Sequence, residues 1–107
     1  MAKRIDKKII YKIIQDYLDV LKANRIRLSR VYLFGSYVSR RFTEDSDIDL
    51  ALVSDDFKGD IIKDMLRLMK LRRGVDLRIE PHPFVKSEFS SADPFVKEII
   101  KFGKRII

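Results

Sequence analysis

The stretch FGSYVSRRFTEDSDIDLALV, from Phe34 to Val53, constrains this chain more than any other. An apolar run, Val31-Tyr32-Leu33-Phe34, leads into Gly35-Ser36. Ten residues later Asp47-Ile48-Asp49 opens a second, alternating run that continues through Leu50-Ala51-Leu52-Val53. Side chains on a strand alternate between faces, so Asp47 and Asp49 point the same way, about 7 Å apart. Two carboxylates fixed side by side repel each other and need a cation. Oxygen donors select Mg²⁺ or Mn²⁺, ions that share their remaining positions with phosphate oxygens. A Gly-Ser turn between a strand and a short helix supplies backbone N–H groups and a hydroxyl to such phosphates. Carboxylates, metal and phosphate cradle together describe phosphoryl or nucleotidyl transfer. Either half alone is commonplace, as a solvated pair of charges or a simple turn. Both at fixed spacing, each at its own strand, mark a site.

The rest of the sequence supplies elements to hold that site. Helical periodicity runs from Asp6 to Asn24, with Ile9, Ile10, Ile13, Ile14, Tyr17, Leu18 and Leu21 on its apolar stripe, Asp6 as cap and Asn24 as a left-handed stop. Arg27 to Phe34 reads as a first strand, Ser36 to Phe42 as a short helix with its N-terminus toward the phosphates, and Asp47 to Val53 as a second strand. Asp60 caps a helix through Leu71, carrying Ile61, Ile62, Met65, Leu66, Leu68 and Met69, with Gly74 after it. Val75 to Glu80 alternates, with Asp76, Arg78 and Glu80 on one face. Pro81 and Pro83 are expected to end that strand, because proline cannot donate to a ladder. Asp93-Pro94 opens a helix to about Phe102 that stops at Gly103, and Arg105 to Ile107 is a candidate last strand. The expected fold is α+β, a small mixed β-sheet flanked by helices, in one domain spanning residues 1–107.

Composition narrows the function classes. Apolar residues make up 46% of the chain, enough for a core, so the charge content does not signal disorder. Without cysteine there is neither a disulfide framework nor a thiolate metal site, and the single His82, between Pro81 and Pro83, cannot anchor a histidine-rich one by itself. With no apolar leader and no stretch of membrane-spanning length, the expected compartment is the cytoplasm and no membrane partner is expected. The net charge of +7 favours polyanions. Its Lys and Arg are nevertheless interleaved with apolar residues at helical spacing, as on solvated helix faces. The aromatics form no RNA-binding motif, so nucleic acid is not the expected partner.

Gly35-Ser36, ten residues and Asp47-Ile48-Asp49 resemble the signature of the DNA polymerase beta-like nucleotidyltransferases, and within them the minimal, MNT-type domain. The resemblance implies a Mg²⁺-dependent transfer (two ions, with Mn²⁺ as a substitute) of a nucleoside monophosphate, commonly AMP from ATP, to a hydroxyl. It implies that Asp47 and Asp49 bridge the ions and that a third acidic residue on a later strand completes the metal site. The matching position is Asp76, with Glu80 on the same strand face as the substitute; the alternative for Asp76 is a surface ion pair with Arg78. Gly35 and Ser36 would hold the β- and γ-phosphates. Many relatives carry a basic residue and then glycine after the turn; this chain has Ser39 and Arg40 there, leaving Arg40 or Arg41 to reach the triphosphate. Tyr37 either stacks on the base or packs into the core.

Such minimal domains usually work beside a helical HEPN-type protein, in some cases as the antitoxin that adenylylates its partner. The competing reading is a binding subunit, weak or inactive in catalysis, that neutralises a helical partner by contact. Self-association or such a complex would use the helices from Asp6 to Asn24 and Pro94 to Phe102.

Overall fold

The computed structural model describes residues 7–39, 42–43 and 45–107. Helix α1 (Lys7–Ala23) precedes strand β1 (Arg30–Phe34), the four-residue helix α2 (Ser36–Ser39) and strand β2 (Ile48–Val53). Helix α3 (Ile61–Leu71), strand β3 (Ile79–Phe84), helix α4 (Pro94–Phe102) and the short strand β4 (Lys104–Arg105) follow. The sheet runs β3-β2-β1-β4, with β1 antiparallel to both β2 and β4 and β2 parallel to β3. This is the expected α+β arrangement with a small mixed sheet.

Strand alternation gives the sheet two differently covered faces. Val31, Leu33, Ile48, Leu50, Leu52 and Ile79 project toward one face and form a core with Ile10, Ile14, Tyr17 and Leu21 of α1 and Leu68 of α3. The buried Tyr17 hydroxyl donates to the Leu68 carbonyl at 2.8 Å, tying α1 to α3. On the other face Tyr32, Ala51 and Val53 pack with Phe89 and with Val96 and Ile99 of α4. Asp49, Glu80 and His82 have the parity of that second face, so α4 and the sheet together wall the site.

The helix ends follow their local chemistry. Asp60 accepts from the Lys63 N–H and Asp93 from the Phe95 N–H, each satisfying a donor that a first helical turn leaves open, and Pro94 occupies the first turn of α4. The left-handed residue after α1 is Arg25 (φ 65°) rather than Asn24, whose side-chain amide instead donates to the Val20 carbonyl. The expected cap Asp6 lies outside the described residues. Strand β1 begins at Arg30 rather than Arg27 because the Arg27 backbone is engaged elsewhere: its N–H donates to Asp56 and its carbonyl accepts from the Ser54 hydroxyl.

The third strand departs most from expectation. It runs Ile79–Phe84, straight through Pro81 and Pro83, while Val75 to Arg78 form the turn that leads into it. Ile48 donates to the Arg78 carbonyl and Ser54 to the Phe84 carbonyl, which sets the phase of the parallel ladder. Even-numbered residues of β3 therefore face β2, and the proline nitrogens point to the open edge, where no ladder bond is lost.

Candidate functional site

Gly35 lies where β1 turns into α2, and its φ of 75° is a conformation that L-residues adopt at a cost. A second constraint comes from across the sheet. A Cβ at Gly35 would overlap the Asp49 Oδ2 atom and press on Asp49 Cγ. The register explains the meeting: Phe34 pairs with Asp49 in the antiparallel ladder, so the residue after Phe34 abuts that carboxylate. The two halves of the sequence motif are thus in van der Waals contact. Val38 and Ser39 make the first backbone bonds of α2, both to the Gly35 carbonyl, so the N–H groups of Ser36 and Tyr37 precede the helical ladder at the turn.

Asp49 pairs with Glu80 in the parallel ladder between β2 and β3. Among the described residues, Asp49, Glu80 and His82 bring one donor atom each within 4.8 Å of one another. His82 Nε2 lies 3.2 Å from Asp49 Oδ1. Asp47 joins from the exposed stretch just before β2. The Glu80 carboxyl titrates above the usual glutamate range. Withdrawal from water contributes most, followed by a hydrogen bond shared with Asp47 and then the charges of Asp49 and Asp47. The His82 ring opposes these effects, and among the described residues no Lys or Arg acts on this carboxyl. A carboxylate group crowded in this way suits a hard divalent cation.

Asp76 has the opposite environment. It sits in the turn before β3, where its Oδ1 accepts from both the backbone N–H and Nε of Arg78 and its Oδ2 from the terminal guanidinium nitrogen at 2.8 Å. Those Arg78 bonds hold its carboxyl below the usual aspartate range. The structure therefore brings Asp47, Asp49 and Glu80 together and gives Asp76 to the ion pair. Arg78 also lies against the Tyr37 hydroxyl. Tyr37 itself is core: it is buried and stacks on Phe42 at 5.0 Å, rather than being presented to a base. Arg40 lies outside the described residues.

Sequence reasoning missed His82 as a neighbour of the site, having weighed it only as a lone metal anchor. The available signal was parity, since residues 80 and 82 share a face and Glu80 was already a candidate. Its ring stands 5.0 Å from Phe34 and 6.2 Å from Phe95 of α4, centroid to centroid. Beside this aromatic group, Phe34, Gly35, Val38, Ser39, Phe95, Glu98, Ile99, Phe102 and Gly103 line an open, largely apolar cleft of about 580 Å³.

A strand-to-helix glycine turn is thus held against a carboxylate cluster on a mixed sheet, and the fold that carries it is of the nucleotidyltransferase class. The chain belongs to the polymerase beta nucleotidyltransferase family, whose profile matches residues 10–107, and it is a minimal domain of that kind. A Methanocaldococcus jannaschii protein described as a "putative protein adenylyltransferase" is 39% identical over 66 residues. The match spans 60% of this chain and 64% of that relative's length. A crystal structure of a "putative nucleotidyltransferase" from Sulfolobus solfataricus shares the fold (TM-score 0.56, 19% identity, covering 92% of this chain and 76% of the other). A crystal structure described as a "toxin-antitoxin with AMP-PNP" aligns with a TM-score of 0.59 and 25% identity, over 96% of this chain and 73% of the other. No described helix is long and apolar enough to cross a membrane.

Proposed function

We propose that this chain transfers AMP from magnesium–ATP to a hydroxyl on a partner protein, with Asp47, Asp49 and Glu80 holding the metal. The observation that carries this reading is the position of Asp49, which touches the Gly35 turn on one side and Glu80 on the other. A triphosphate on the turn and a cation on the carboxylates would then share one pocket. Bound divalent ions would lower the pKa of the acceptor hydroxyl and offset charge on the triphosphate. The protein's own contribution is positional. Gly35 admits the phosphates close to backbone, Ser36 offers a hydroxyl and an N–H, and the rigid β2–β3 ladder fixes Asp49 beside Glu80. Glu80, rather than Asp76, takes the place of the third carboxylate in this reading, because the Asp76 oxygens are occupied by Arg78.

The test is transfer of label from α-phosphate-labelled ATP in magnesium, with candidate acceptor proteins that include any helical HEPN-type protein encoded beside this chain. Asp49→Asn and Glu80→Gln should abolish labelling while Asp76→Asn retains it. Undiminished labelling in Asp49→Asn would refute the reading, and loss in Asp76→Asn with retention in Glu80→Gln would return the third ligand to Asp76.

A helical HEPN-type partner in a toxin–antitoxin pair is the assembly we favour, supported by the likeness to the toxin–antitoxin structure. The exposed apolar residues Ile61, Ile62 and Leu66 on α3, and Phe95 and Phe102 on α4, favour a protein contact. They keep a second reading in play, a subunit that neutralises its partner by contact alone. A partner that is bound and inhibited yet carries no AMP would decide for it.

A further inference from the structure

His82 stands beside the carboxylates on β3. Its Nε2 lies 3.2 Å from Asp49 Oδ1, and a carboxylate offers lone pairs only, so the imidazole nitrogen carries the hydrogen of that bond. A nitrogen committed as a donor cannot at the same time ligate a cation. The other Asp49 oxygen, Oδ2, is the atom facing Gly35. The carboxylate is thus gripped through one oxygen, with its second turned toward the glycine turn. The imidazole is held in turn. His82 lies on β3 between two buried prolines, and the side chains of both His82 and Asp49 are mostly covered (23% and 19% exposed). Phe34 and Phe95 stand against the ring on neighbouring elements.

From this geometry we infer that His82 is a positioning residue that fixes the rotamer of Asp49 for metal binding and couples α4 to the metal site through Phe95. The inference rests on the reading of Asp49 as a metal ligand. A hydrogen bond to the ligating group raises the fraction of time its free oxygen points correctly, and partners of this kind commonly set metal affinity. His82→Phe keeps a ring against Phe34 and Phe95 but removes the donor. His82→Gln restores a donor at a reach like that of Nε2, whereas the amide of His82→Asn falls short of Asp49.

The experiment is Mn²⁺ binding to the purified protein, followed by electron paramagnetic resonance, with thermal melting of each variant alongside. Relative to wild type, His82→Phe and His82→Asn should bind Mn²⁺ about 10–100-fold more weakly and His82→Gln within about threefold. Pulsed spectra of wild-type protein should show no directly coordinated nitrogen. Equal affinity in His82→Phe, or a ligated-nitrogen signal that this substitution removes, overturns the inference; the second result would make His82 a ligand. If His82→Phe melts early, the contrast between Gln and Asn decides, and equal affinity in those two overturns it. Asp49→Asn separates this failure from that of the underlying reading. If it binds Mn²⁺ like wild type, Asp49 is no ligand and the site itself has been misread.

Discussion

The contact between Gly35 and Asp49 gives the sharpest quantitative test. Gly35→Ala introduces two separable penalties. The backbone φ of 75° should cost an alanine about 1–2 kcal/mol. The new Cβ also overlaps the Asp49 carboxylate, and crowding of that kind costs about 1–3 kcal/mol. Together the substitution should remove about 2–5 kcal/mol, a lowering of melting temperature by about 4–8 °C per kcal/mol in a domain of this size. Asp49→Ala removes the obstructing carboxylate but leaves φ unchanged. In that background Gly35→Ala should cost only the conformational share, giving a coupling of about 1–3 kcal/mol in the double-mutant cycle. Urea unfolding of the four proteins in chelator, so that no metal contributes, measures it. A cost for Gly35→Ala that is the same with and without the Asp49 carboxylate would refute the contact.

Acid should erase the contribution of Asp76. Its folded-state pKa lies below the unfolded value near 3.8, so the stabilisation is present above that pH and is lost as pH falls through the lower folded value. Asp76→Asn should therefore cost about 1 kcal/mol at pH 7, discounted for partial exposure, and progressively less as pH falls below 3.8; a gap that does not shrink in acid contradicts the ion pair. Tyr17→Phe should cost only about 0.5–1.5 kcal/mol in denaturant, because the Leu68 carbonyl keeps its bond from the Arg72 N–H. A loss above about 3 kcal/mol would mean that this carbonyl depends on the hydroxyl alone. Gly103→Ala should lower stability by about 1–3 kcal/mol, since its Cβ would strike the Ile99 carbonyl and crowd that of Leu33, both immobile backbone. Gly74→Ala, with nothing within 4 Å of the new atom, is the control and should be neutral or slightly stabilising on melting.

The legibility of this chain in its sequence varied with how local the deciding physics is. Asp60 and Asp93 announced their helices because a cap is satisfied within its own turn. Gly35, Asp47 and Asp49 stood out because their spacing matches a pattern, although the contact between Gly35 and Asp49 depends on strand register and left no local trace. Period-two alternation begins at Val75 and continues through Phe84, so it could not say where β3 starts. Pro81 and Pro83 read as stops because nothing local reveals that a strand is at an edge. The parity survived the error, which is why Glu80 was already a candidate while Asp76 was preferred. Of the apolar residues that marked α3 in the sequence, Leu68 alone is fully buried, and Ile61, Ile62 and Leu66 are more than 60% exposed. Periodicity marks the side of a helix that avoids water; it does not say whether its own chain or another will cover it.

The prolines of β3 also decide how this molecule can meet its neighbours. An open sheet edge normally offers N–H and C=O groups on which a foreign strand can template itself. Here the outward donors at positions 81 and 83 are replaced by pyrrolidine rings, and the outward carbonyl of Ile79 is taken by the Arg72 guanidinium at 2.6 Å. The opposite rim is only the two-residue, basic Lys104–Arg105. Neither border can readily nucleate a growing cross-β stack, so a small, apolar-rich sheet can be made in quantity with little risk of polymerising. Any protein contact this molecule makes is then left to side chains on its helices and around its cleft, a surface that can diverge while the backbone of the sheet stays inert.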